Sequence, residues 1–148
     1  MNELDLYTDL IMESANSNLH KHTIENATAS EHGHNPSCGD DIIIQIKCDN
    51  GVIEDIAFTG VGCAISQSST SIMIDVLIGK TLIQAKEVVK NFINLIKREK
   101  LTKKQVASLG NAIAFENISN MPARVKCATM PWHTMESLLT KINELLTK

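Results

Sequence analysis

Three of the four cysteines in this 148-residue chain stand where an element of structure should begin, and an aspartate follows the first of them by two positions. Cys38 lies in NPSCGDD, residues 35–41, a turn bounded by proline and glycine just ahead of an isoleucine-rich stretch. Cys63 follows GVG at the expected start of a helix, where the aligned peptide dipoles favour a thiolate. Cys127 falls near the start of the last helical segment, flanked by Arg124 and Lys126. Element ends are where a fold draws distant side chains together. Three thiolates there, with one further ligand, make a tetrahedral zinc site or an iron–sulfur corner. Asp40 is the natural fourth, because Gly39 lets the turn tighten until Cys38 and Asp40 point the same way. Zn²⁺ with three thiolates and one carboxylate carries a formal charge of about −2 by ligand counting, which Arg124 and Lys126 would offset. The cysteines are 25 and 64 residues apart, so no local finger forms and tertiary structure has to assemble the site.

The same residues carry plainer readings. Closed tetrahedral zinc sites are mostly structural, so the pattern alone leaves open a non-catalytic interaction domain held by zinc. An even cysteine count also permits two disulfides. A chain long enough to build its own core, without an export signal, points instead to metal or redox chemistry. Cys48 alternates with Ile42, Ile44 and Ile46 and reads as a small core hydrophobe. His32 and His34, in HGH near Cys38, are candidate ligands against the commoner solvated loop histidine. His133 lies about one and a half turns beyond Cys127 on a helix of ordinary pitch. GKT at 79–81 echoes the end of a phosphate-binding loop, but that loop needs glycine at position 74, where Ile74 stands. It reads as a helix end and a helix cap. No serine sits in a G-x-S-x-G context.

The elements that must position these residues are legible in part. Residues 3–19 read as a helix with Leu4, Tyr7, Leu10 and Ile11 on one side. A polar stretch follows, with one short strand expected near Ala27–Ser30. DIIIQIKCDNGVIEDIAF places two β-rich runs on either side of Asn50-Gly51, the preferred pair for a tight hairpin. The serine-rich segment after Cys63 resembles a linker in composition, yet Ile65, Ile72, Met73, Val76 and Leu77 carry a helical stripe through it. Gly79 suits that helix's C-terminus, and Thr81 with Gln84 forms a capping box for the next. Leu82, Ala85, Val89, Phe92 and Ile96 make its buried side. Short helical turns are expected over 103–115. A last helix starts at Pro122, a favoured first position, with Pro131 expected to kink it or begin another. Helix, strands, then helices is an α+β order: a small antiparallel sheet of about three strands, helices on one side, a long C-terminal helix, and a single domain over 1–148.

Composition narrows the function classes. Hydrophobic residues are 43% and charged residues 21%, which suits a globular core, and aromatics at 3% make that core aliphatic. A net charge of −3 lacks the dominant basic balance of a nucleic-acid binder. No apolar run is long enough to span a membrane. The N-terminal MNELDLYTDLIMES is acidic and amphipathic, without the basic start and apolar run of a signal peptide. A cytoplasmic location is the expectation, with neither nucleic acid nor membrane as partner.

NPSCGD, GVGCAIS and RVKCATMPW together resemble the three cysteine motifs of the U-type iron–sulfur cluster assembly proteins, the IscU/SufU (NifU N-terminal-like) family. IIIQIKCDNGVIEDIAFTGVGCAIS is similar to that family's hairpin running into its second cysteine, and GKTLIQAKEVVKNF to the helix after it. The segment NLIKREKLTKKQVASLGNAIAF resembles the insertion of the SufU type. Lys126 stands where the IscU type has a histidine, which removes one potential cluster ligand. The resemblance implies Cys38, Asp40, Cys63 and Cys127 as zinc ligands. It implies sulfur received from a pyridoxal-phosphate-dependent, SufS-like cysteine desulfurase, with downstream iron–sulfur assembly proteins as further partners. IscU-type relatives instead assemble a [2Fe–2S] cluster on the equivalent residues. Cys38, on the more mobile glycine-flanked loop, is then the expected sulfur acceptor and Cys127 its rival, with Arg124 and Lys126 beside them. On this reading the chain is at most a sulfurtransferase.

Overall fold

The computed structural model describes residues 8–146. Its elements run α1 (Asp9–Asn16), β1 (Ala29–Asn35), β2 (Asp40–Asp49), β3 (Val52–Val61), α2 (Ala64–Leu77), α3 (Leu82–Ile96), α4 (Lys103–Ala107), a 3₁₀ segment (Gly110–Asn120) and α5 (Pro122–Leu146). The strands form one antiparallel sheet in the order β1-β2-β3. This is the expected α+β architecture with three strands and a long C-terminal helix.

Asn50 and Gly51 both take positive φ, 51° and 77°. That conformation matches the right-handed twist of a tight hairpin. Ile42, Ile44 and Ile46 face Gly60, Phe58 and Ile56 across the ladder, and all three isoleucines are buried. The register shifts between Lys47 and Cys48. Beyond that bulge Cys48 is only half-buried, packed against the core edge rather than inside it.

The core lies between the inner sheet face and α2, α3 and α5. Most of α2 is buried all round, Ile65 through Ile74 without a break, so its serines serve close packing rather than a linker. Two hydroxyls are satisfied within the helix: Ser68 donates to the Ile65 carbonyl and Thr70 to the Ser66 carbonyl. On α5, Trp132 is fully buried and stacks on Phe92 of α3, ring centroids 4.0 Å apart and 7° from parallel. Gly33 lets β1 approach α5, since a β-carbon there would lie 2.4 Å from Thr134 Oγ1.

Several boundaries differ from expectation. The first strand begins at Ala29 and runs through HGH to Asn35, so His32 and His34 are strand residues. The sheet ladder with β2 overrides the poor local pattern. α1 ends at Asn16, short of residue 19, and residues 3–7 of the expected helix lie outside the described residues. Ile11 is buried and Leu10 packs against the core, while Leu4 and Tyr7 lie outside the described residues. α5 runs from Pro122 to Leu146 with Pro131 inside it, so no new helix starts there. The Thr81–Gln84 capping box is present.

Candidate metal centre

The expected ligands meet at one end of the sheet. Cys38 sits on the turn between β1 and β2, and Gly39 beside it takes φ +69°, a left-handed conformation that glycine adopts without strain. Asp40 opens β2 with no exposure at all. Cys63 is the N-cap of α2, its Sγ accepting from the Ser66 backbone N–H at 3.4 Å. Cys127, fully buried, lies in the second turn of α5. One ligand atom each from Cys38, Asp40 and Cys127 falls within 4.8 Å of the others, and the Cys38 and Cys127 sulfurs are 2.7 Å apart. Cys63 is not in that trio. Its amide is turned to Asp40, and its sulfur neighbours that of Cys127.

Asp40 binds the ends of three elements together. Its Oδ1 accepts from the Cys63 backbone N–H at 2.8 Å and from Ser66 Oγ at 3.0 Å, and its Oδ2 from Asn35 Nδ2 at 3.4 Å. Donors of this kind fix the orientation of a buried carboxylate. The same Asn35 amide points at Cys127 Sγ from 3.8 Å. Gly62 makes room for this arrangement, since a β-carbon there would lie 2.4 Å from Ser66 Oγ and 3.0 Å from Asp40 Oδ1. A second lock ties the helices that carry Cys63 and Cys127. Ser69 Oγ donates to the Ala128 carbonyl at 2.6 Å and accepts from Trp132 Nε1 at 2.9 Å.

Burial, the hydrogen bond with Cys38 and the charge of Cys63 all push the Cys127 thiol well above its ordinary range. Crowded thiols of this kind resist ionisation alone and accept it readily around a cation. The donor set of soft sulfurs with one carboxylate, buried and closely spaced, therefore fits Zn²⁺ or a sulfur-ligated iron centre.

The other candidates fall elsewhere. His32 is exposed and hydrogen-bonds Asp41 at 2.5 Å. His34 is exposed, its ring 6.0 Å from that of His32. His133 is exposed, 3.8 Å from Glu136. The three line a groove of about 530 Å³ between β1 and α5, with Lys126 at its edge. None of them belongs to the ligand trio. Arg124 is half-buried and Lys126 exposed on the first turns of α5.

Asn35, Ser66, Ser69 and Gly62 were not singled out from sequence. The available signals were weak: Asn35 opens the Cys38 motif, and Ser66 lies three residues after Cys63, the spacing of a capping partner.

Known proteins resemble the chain over most of its length. The NifU-like N terminal domain family matches residues 6–128. The iron–sulfur cluster assembly scaffold protein IscU of Thermotoga maritima is 34% identical over 93% of this chain and 95% of its own. The zinc-dependent sulfurtransferase SufU of Bacillus subtilis is 32% identical over 92% and 90%. The crystal structure of FiSufU from Fervidobacterium islandicum AW-1, whose name assigns it to the SUF system, superposes with a TM-score of 0.87 at 38% identity, covering 93% of this chain and 99% of that one. A NifU-like N-terminal protein of Brucella abortus shares the fold, with a TM-score of 0.81 at 21% identity.

Proposed function

The chain belongs to the NifU-like N-terminal domain family of iron–sulfur cluster assembly proteins, and from that premise we propose that it is a zinc-dependent sulfur acceptor serving a cysteine desulfurase. The observation that carries this reading is the convergence of Cys38, Asp40 and Cys127, with Cys63 holding Asp40 by its amide. The four residues would hold Zn²⁺, which when bound keeps the thiols deprotonated and shields them from oxidation without redox chemistry of its own.

The residues divide the labour. Asp40, Cys63 and Cys127 are fastened to α2 and α5, whereas Cys38 stands half-buried on the turn beside Gly39. Cys38 is therefore the thiol best able to move. Its thiolate attacks the outer sulfur of the desulfurase's cysteine persulfide. The S–S bond of the donor breaks, the donor cysteine leaves as a thiolate, and the outer sulfur remains on Cys38 as a persulfide. The exchange consumes no oxidant or reductant. Cys127, fully buried, is the rival acceptor, and Arg124 and Lys126 on the same turns offset negative charge at the site.

The Thermotoga relative's name favours a second reading, in which the same four residues receive a [2Fe–2S] cluster as cargo. Metal content of the purified protein, with desulfurase turnover measured in its presence and absence, separates the two. The expected result is a colourless, zinc-loaded protein that raises turnover and carries persulfide on Cys38 by mass spectrometry. A coloured protein holding a stable cluster supports the scaffold instead. Zinc without any effect on turnover leaves a structural interaction domain, and persulfide confined to Cys127 reverses the choice of acceptor.

A further inference from the structure

The HGH motif takes no part in the cysteine centre, and its two histidines are placed for chemistry of their own. Residues i and i+2 of a strand point to one face, about 6.6 Å apart along it. His32 and His34 stand in that relation on the outer face of β1, both exposed. Gly33 between them is buried against Thr134 of α5, which turns both rings outward. Their centroids lie 6.0 Å apart and the rings 13° from parallel. Two imidazoles sharing one zinc ion, each nitrogen about 2.0–2.1 Å from it, need centroids about 5 Å apart. The strand has therefore brought the pair close to chelating separation, and a turn about exposed side-chain bonds covers the rest.

The hydrogen bonds favour a ligand role over an ordinary surface contact. His32 Nε2 lies 2.5 Å from Asp41 Oδ1. In the neutral ring Nε2–H donates to that carboxylate, which leaves a lone pair on Nδ1. Metal-binding histidines are braced by carboxylates in this way. His20, His22 and His133 each have an oxygen partner too. His34 has no hydrogen-bond partner among the described residues, only its stack on His32. An exposed His–Asp pair is worth little stability by itself, and it gives no account of the free ring beside it. One braced and one free imidazole, both open to solvent, form the donor set of a two-nitrogen chelate. Such donors suit borderline cations such as Zn²⁺, whereas Mg²⁺ and Ca²⁺ prefer oxygen.

The ladder sets this pair back to back with the cysteine centre. His34 is opposite Asp41 and Asn35 is opposite Asp40. His34 and Asp41 are exposed, whereas Asn35 and Asp40 are buried. Adjacent rungs thus face opposite sides, one towards the cysteines and the other towards solvent. We propose that His32 and His34, braced by Asp41, form a second, exchangeable site for a borderline divalent cation, with water completing its coordination. The site holds its ion on the reverse side of the strands that lead into the Cys38 turn. It requires neither the sulfur-acceptor nor the scaffold reading of the cysteine centre.

The test titrates the purified chain with Zn²⁺ by calorimetry, after its resident metal has been counted, and follows the imidazole resonances by NMR. One further equivalent is expected to bind and to shift the His32 and His34 rings while those of His20 and His22 stay in place. Asp41→Ala removes the brace and should weaken this step by about 10–100-fold. His34→Asn removes a ligand and should cost no less than about tenfold. His133→Asn, in the groove that His32 and His34 share with α5, is the control and should leave binding unchanged. Mg²⁺ in excess should not displace the ion. The substituted side chains are exposed, so resident metal content and thermal unfolding should match the wild type. A wild-type chain that takes up no further Zn²⁺ in large molar excess overturns the proposal. Equal uptake by the wild-type and His34→Asn chains overturns it as well, as does an equal loss in His133→Asn or displacement by Mg²⁺.

Discussion

Two halves of the metal centre are built in opposite ways. Cys63 and Cys127 sit on helix starts that are fastened together: Ser69 bridges the Ala128 carbonyl and the Trp132 indole, and Trp132 stacks on Phe92. Cys38 sits on a turn whose neighbour Gly39 has nothing within 4 Å of where a side chain would begin. The difference teaches that the site sets a hydrogen-bonded wall against a thiol on an open turn. Asp40 belongs to the wall although it is only two residues from Cys38, because its oxygens are held by Cys63, Ser66 and Asn35.

The comparison breaks most visibly at the wall. Trp132→Ala removes a fully buried ring and the donor to Ser69, and is expected to cost about 3–5 kcal/mol of stability. Ser37→Ala, exposed on the turn, should stay within about 0.5 kcal/mol. Thermal or denaturant unfolding of the two variants measures the contrast, and equal effects would remove the distinction between the halves.

Asp40→Ala takes away a proposed ligand and leaves the Cys63 amide and the Ser66 hydroxyl without this acceptor. Metal affinity in a chelator competition should fall on the order of 100-fold, with a smaller loss for Asp40→Asn, which keeps an oxygen for those donors. Unchanged affinity in Asp40→Ala would take Asp40 out of the ligand set.

Protonation gives a third handle. The Cys127 thiol is raised above its ordinary pKa by burial first, then by its Cys38 and Cys63 neighbours, so in the metal-free protein it keeps its proton at neutral pH. Binding a cation must expel that proton. Metal affinity should therefore climb as pH rises across the neutral range, up to about tenfold per unit for each proton released. A pH-independent affinity would mean that Cys127 is not a ligand. A smaller change in metal affinity than for Asp40→Ala is expected for Asn35→Ala, which removes the donor shared between Asp40 and Cys127. Chelator competition should show about a tenfold weaker site, without loss of the fold.

Much of this was legible along the chain. Asn50-Gly51 announced the hairpin, Thr81 and Gln84 the start of α3, and the three cysteine motifs the family. The first strand was not, because HGHN has no alternating apolar pattern of its own and is held by pairing with β2. Nor was continuity through Pro131. That helix persists because packing on both sides of the proline outweighs one missing backbone hydrogen bond. The roles of Asn35, Ser66 and Ser69 were hidden for a related reason. Hydrogen bonds across 5, 26 and 59 residues leave no trace in local composition.

The sequence by itself determined which residue types stand at the element ends: three thiols, one carboxylate and a glycine where the turn must tighten. Local chemistry suffices for that, since caps, turns and periodicity act over a few residues. Tertiary structure alone decided which of them meet and which are held by packed helices. It brought Cys38, Asp40 and Cys127 within 4.8 Å of one another, left Cys63 holding Asp40 by its amide, and anchored three of the four to packed helices. Those outcomes depend on side-chain packing between α2, α3 and α5, an interaction that no short stretch of the chain contains.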